Sequence, residues 1–231
     1  MLKPFLHRIL LSATLCLSGF AFTLTAAQAG DLRIELTAPG SQIPGRNLLI
    51  NIGYALKFDV PVPEPFSIRV PEIDGLLSAP QTAEDPSVGL FKVSFAGRDR
   101  DAPDDIFLVE NIEFFNISAP LGDLDARIMT LGKSLNDQFF PALTRGFDDA
   151  NIISGRAIKI GPYDAVEIIG TYMDPQNGES ALRLVGILHP ESADSVLAIS
   201  NIVTKYYVLT NPGDLAMTAS GTLLQSFEYL N

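Results

Sequence analysis

From Arg156 to Val203 the chain carries four apolar runs in close succession: RAIKI (156–160), DAVEIIGTYM (164–173), ALRLVGILH (181–189) and SVLAISNIV (195–203). Between them lie only GPYD, DPQNGES and PESAD, turns short enough for antiparallel neighbours. That half of the chain is therefore committed to an antiparallel sheet. Further strands are expected at FSIRV (66–70), LFKVSF (90–95) and IFLVENIEFFNI (106–117), each bounded by Pro, Gly or Asp clusters. Upstream, Leu48, Ile50, Ile52, Tyr54, Leu56 and Phe58 alternate along one stretch, which predicts a strand over 48–58 with one face buried. The following DVPVPEP cannot continue a sheet, because prolines 61, 63 and 65 remove ladder donors, so an extended connector is expected there.

The period changes twice. Leu124, Ile128, Leu131, Leu135 and Phe139 are spaced for one side of a helix, which Pro141 should end or kink. Asn211, Pro212 and Asp214 read as a second helix start, and Leu215, Ala219, Leu223, Phe227 and Leu230 form its apolar side. Gly221 falls inside this helix at a cost of ~1 kcal/mol relative to alanine, a cost tolerated where a backbone must pack closely. The ending GTLLQSFEYLN is thus expected to dock rather than hang free.

This element order resembles the PsbP-like fold, an antiparallel sheet flanked by helices, and is similar to bacterial exported proteins of the DcrB type. The resemblance covers residues 66–231. It rests on the helix at Leu124–Phe139, the strand pair VEIIGTYM and ALRLVGIL, and the terminal Leu223, Leu224, Ser226 and Phe227. It implies an α+β domain with an accessory or binding role more often than a catalytic one, and it assigns no functional residue.

The N-terminus gives an address. Lys3 and Arg8 precede ILLSATLCLSGFAFTLTA, and AAQA then leads into GDL, the three-part pattern of a secretory signal. Ala27 and Ala29 are the small residues such a cut needs, so cleavage is expected between Ala29 and Gly30. The apolar stretch is also long enough to begin spanning a bilayer, so the alternative is a retained anchor. The expected organisation is a signal peptide (1–29), an N-terminal strand with its proline-rich connector (30–65) and an α+β domain (66–231). No second apolar run is long enough to span a membrane. The only cysteine, Cys16, lies in the signal segment, which leaves the exported chain without disulfide, thiol nucleophile or thiolate metal site. Losing Lys3 and Arg8 leaves 14 basic against 27 acidic residues, a net charge of −13 that excludes nucleic acid and repels anionic surfaces.

Motifs for catalysis are sparse. The exported chain has one histidine, His189, and no G-x-S-x-G elbow, phosphate loop or dinucleotide fingerprint. His189 reads as a strand terminus before Pro190. No cofactor is expected, and one histidine without cysteine cannot build the usual zinc site. The candidate metal loop is GRDRDAPDD, where Asp99, Asp101, Asp104 and Asp105 offer oxygen ligands to a hard cation. Arg98 and Arg100 alternate with them, and the spacing is not that of an EF-hand, so a solvated connector is the expectation. DPQNGES, with Asp174, Asn177 and Glu179, reads first as a hairpin turn. The doublets Phe114-Phe115 and Tyr206-Tyr207 read first as buried, with a partner-binding patch as the alternative that makes them candidate partner-binding residues. The expected function is an exported, non-catalytic binding or accessory protein of the bacterial envelope, periplasmic or secreted, with an envelope protein or small ligand as partner. The alternatives are a carboxylate- or calcium-dependent envelope enzyme and a carrier of small apolar ligands.

Overall fold

The strand runs assemble into one antiparallel sheet. A computed structural model describes residues 33–83, 85–86, 89–98 and 104–230; the expected signal segment and the expected cleavage point between Ala29 and Gly30 lie outside the described residues. The strands are β1 (Gly45–Ile50), β2 (Phe66–Pro71), β3 (Leu76–Thr82), β4 (Gly89–Arg98), β5 (Ile106–Ser118), β6 (Asp148–Ile160), β7 (Tyr163–Asp174), β8 (Gly178–Ile187), β9 (Asp194–Val203) and β10 (Glu228–Tyr229). Seven of them form the main sheet in the order β3-β4-β5-β9-β8-β7-β6, and a small sheet has the order β1-β2-β10. All of these pairings are antiparallel.

Alternation along the central strands makes both faces of the main sheet apolar, and each is covered. One face packs against α2 (Leu124–Ser134), a π-helical turn (Leu135–Phe139) and α3 (Phe140–Leu143). Leu131, Leu135, Phe139 and Phe140 meet Val166, Ile168, Leu182 and Leu184 there. Gly170 and Gly186 let this layer press close, since a Cβ on them would meet the Phe140 ring at 2.2 Å and Leu131 at 2.7 Å. The opposite face is covered by the small sheet and by α4 (Ala219–Gln225), so that Ile50, Phe66, Ile68, Leu223 and Phe227 share a core with Phe91, Phe114 and Val185. Strand β1, from the expected N-terminal segment, is thereby part of the same core.

Four elements differ from the sequence reading. The strand expected over 48–58 ends at Ile50, and α1 (Ile52–Phe58) follows, with Asn51 as its N-cap accepting from the Tyr54 amide at 3.1 Å. The strand β3 is an addition; its Pro80 is tolerated because β3 is an edge. The helix at 124–139 does not stop at Pro141 but runs to Leu143. The π turn makes this workable: its wider ladder, with the Phe140 amide bonded to the Leu135 carbonyl, relieves the clash of a proline ring with the preceding turn.

The C-terminal helix is divided. A 3-10 segment spans Pro212–Met217, Thr218 caps α4, and the chain leaves the helix at Ser226 to pair β10 with β2. Leu215, Ala219, Leu223 and Phe227 are buried as their spacing predicts. Gly221 has the expected tight contact, but with the 3-10 segment rather than the sheet: a Cβ there would lie 2.3 Å from the Leu215 carbonyl oxygen.

Candidate functional site

The residues singled out from the sequence fall into different environments. Phe114 and Phe115 point to opposite faces of β5, the first stacked on Phe91 at 4.6 Å and the second beneath α2. Tyr206 and Tyr207 are buried in a third apolar cluster with Val109, Ile202 and Leu215. All four are core residues, so none offers a face to a partner. Asp104 and Asp105 are exposed, while Asp99 and Asp101 lie outside the described residues. No group of three or more His, Cys, Asp or Glu is placed to hold a metal ion among the described residues. Asp174 closes its hairpin, its Oδ1 accepting from the Gln176 and Asn177 amides at 2.8 Å each.

His189 borders a cleft of about 280 Å³ with Arg127, Tyr163 and Asp164, yet these groups are engaged in holding the chain. Its Nδ1 accepts from the amides of Glu191 at 3.1 Å and Ser192 at 2.9 Å. These two bonds engage the Nδ1 lone pair in closing the turn after β8. Arg127 Nη2 donates to the carbonyls of Ala119, His189 and Ser192, tying three loop positions together. A second cleft, of about 380 Å³, lies between α2 and β6 with Ile128, Val166 and Ile168 among its lining residues and Lys133 and Asp137 beside them.

Two buried carboxylates were not singled out from the sequence. Glu110 on β5 is fully buried. It accepts from the Tyr207 hydroxyl, from the Ala219 amide at 2.7 Å, and from the Ser220 amide and hydroxyl at 3.1 and 2.5 Å. It thus satisfies the free amides at the start of α4. Burial raises its pKa, and the hydrogen bonds from Ser220 and Tyr207 oppose that shift. The Tyr207 hydroxyl is also pushed up, by its own burial first and then by the Glu110 charge, so it remains a donor. Glu167 on β7 is paired with buried Arg183 on β8 at 2.8 Å and with Arg156 on β6 at 2.6 Å. Both carboxylates link elements to one another.

The apolar surface lies elsewhere, at the corner formed by β1 and α1. Ile50, Leu48 and Tyr54 turn inward, but Leu49 is 53%, Ile52 60%, Leu56 77% and Val62 58% exposed. Ile52 and Leu56 are one helical turn apart on α1 and form one apolar face. The alternation in the sequence assigned both to a buried strand face; the switch to helix after Asn51 turns them to solvent.

The fold is α+β, with an antiparallel sheet flanked by helices, the architecture implied by the PsbP-like resemblance. No family model matches the chain, and a search of curated proteins finds no match. Solved structures to which it is similar include the Ran-binding protein Mog1p of Saccharomyces cerevisiae, at 10% identity over 82% of this chain and 97% of that one, with a TM-score of 0.44. Cyanobacterial PsbP (CyanoP) from Synechocystis sp. PCC 6803 is similar at 14% identity over 84% and 98% of the two chains, with a TM-score of 0.42. LpqN, involved in cell envelope biogenesis of Mycobacterium tuberculosis, is similar at 13% identity over 79% and 89%, also with a TM-score of 0.42. Function is argued from this chain's own residues.

Proposed function

We propose that this chain is an exported binding or accessory protein of the cell envelope that works through a surface rather than a catalytic centre. The observation that carries this reading is the β1–α1 corner, where Leu49, Ile52, Leu56 and Val62 stand more than half exposed. Single exposed apolar residues are ordinary, but several on one short helix and its flanks mark a contact surface. The address rests on the signal pattern at residues 1–29. The buried ionisable groups support the same reading, because Glu110, Glu167, Arg183 and Arg127 are each engaged in joining elements.

Thiol labelling tests it. With Cys16 replaced by serine, Leu56→Cys is expected to react with a thiol reagent in the purified protein and to be shielded in the isolated envelope fraction. Met129→Cys, at a 70% exposed position on α2, serves as the control and should react in both. Equal labelling of the two positions in the envelope fraction overturns the reading.

A further inference from the structure

We propose that the cleft beside the start of α2 binds a small organic carboxylate with an apolar body. It shares no lining residue with the β1–α1 corner, so this site goes beyond the surface reading above and can fail apart from it. Its centre is Arg127, which is only 8% exposed. Nη2 makes all of this side chain's hydrogen bonds among the described residues, and its acceptors are the neutral carbonyls of Ala119, His189 and Ser192. Nε is buried without a partner, and Nη1 has none among the described residues. No carboxylate lies within ion-pair distance of this guanidinium in that set. A buried cation held by carbonyls alone keeps part of its desolvation cost, which a bound anion would offset. Nη2 thus fixes the guanidinium in place and leaves Nη1 for a ligand.

The His189 ring borders the same cleft. It accepts two amides at Nδ1, which leaves Nε2–H as its donor, and that donor has no partner among the described residues. An edge contact with Tyr229, 4.6 Å between ring centroids, holds the imidazole there. Two unpaired donors on one cleft call for an acceptor, and the acids nearby are engaged elsewhere. Asp164 pairs with Lys159 at 2.7 Å, Glu64 accepts from the Ser192 hydroxyl at 2.5 Å, and Asp123 accepts from the Ala126 amide at 3.0 Å. A carboxylate supplies two acceptor oxygens and one negative charge, which suits a guanidinium better than a neutral group does. The remaining walls include Leu124, Pro162, Leu188 and Pro190, so the body behind that carboxylate is apolar. A volume of about 280 Å³ keeps it small.

The protein, expressed with its own N-terminal segment, is titrated calorimetrically with benzoate, benzyl alcohol and inorganic phosphate. Benzoate is expected to saturate one site and to bind about tenfold or more tighter than benzyl alcohol, which lacks the charge. Phosphate, which lacks the apolar body, should bind more weakly than benzoate. The chain has two histidines, His7 and His189, so His7→Gln leaves one imidazole, whose ring nitrogen resonances should move as benzoate is added. Arg127→Met should abolish binding, but it also removes the three carbonyl bonds and can unfold the chain. Leu124 offers a gentler change, since it lines the cleft at 42% exposure and makes none of those bonds. Leu124→Glu should bind benzoate about tenfold more weakly than Leu124→Gln, with circular dichroism verifying that both fold. Four results overturn the proposal: no saturable benzoate binding, benzyl alcohol or phosphate binding as tightly, His189 resonances that stay still, or equal affinity in the two Leu124 variants. None of them bears on the thiol labelling of Leu56→Cys, which tests the surface reading by itself.

Discussion

Glu110 draws its donors from Tyr207, Ala219 and Ser220, residues 97 to 110 positions away in the chain. In the sequence it is one acid inside a strand, and nothing local marks it as buried. Its setting depends on the irregularity that leaves Val109 without a partner in the β4–β5 register and on where the C-terminal segment crosses the sheet. Glu110→Gln keeps the shape but turns an NH₂ donor toward other donors, and should lose about 1–3 kcal/mol in denaturant unfolding. The pH dependence follows from burial. Because the folded-state pKa is raised from an ordinary value of 4.5, the folded chain holds a proton that the unfolded chain releases first. Stability from this group is present below that value and is lost as pH rises through the folded pKa. The gap between the wild type and Glu110→Gln should therefore narrow as pH rises above 4.5. A gap that widens there would show that the four hydrogen bonds outweigh burial.

At the scale of elements, the long strands were legible because alternation and short turns both specify them, whereas α1 was not. Apolar residues at 50, 52, 54, 56 and 58 satisfy a period of two, but the pairs Ile52/Leu56 and Tyr54/Phe58 also satisfy the four-residue spacing of a helix. The deciding signal was Asn51, a side chain suited to cap the first turn. Pro141, expected to end or kink the helix, does not end it: the α-helical ladder is interrupted by the π turn just before it, which absorbs a proline that an unbroken α-helix rejects. Pairing across strands supplies a test at this scale. Glu167, Arg183 and Arg156 come from three adjacent strands, and the first two are buried between apolar clusters. Arg183→Met alone leaves the Glu167 charge with only half-exposed Arg156, and should cost about 3–5 kcal/mol. Adding Glu167→Leu should recover most of that loss, because the uncompensated charge goes with it. A double variant as unstable as the single one would mean that packing, not charge, sets the cost.

Over the whole molecule, the question is whether the small sheet and the seven-stranded sheet are one cooperative unit. The proline-rich connector at 59–65 suggested a seam, but the packing runs across it. Ile50 and Phe66 from the small sheet share a core with Phe91 and Phe114 from the main sheet, and Phe227 stacks on Phe66 at 5.0 Å. Tyr229 of β10 ties the same layer to the main sheet, its hydroxyl donating to the Ile187 carbonyl at 2.7 Å and accepting from the Val196 amide at 3.0 Å. Because these contacts hold both sheets at once, loss of one should release the other. Unfolding followed by Leu56→Trp fluorescence at the corner and by far-ultraviolet circular dichroism, which reports the main sheet, should give coincident transitions. Phe227→Ala should then lower both midpoints together, at a cost of about 3–5 kcal/mol from lost burial and the cavity left behind. Against a total stability on the order of 5–15 kcal/mol, that loss is large enough to separate the readings. Two transitions, with only the corner shifted by Phe227→Ala, would make the N-terminal strand and helix an appendage that folds apart from the main sheet. A single shifted transition would instead make the C-terminal GTLLQSFEYLN the segment that locks the two sheets together.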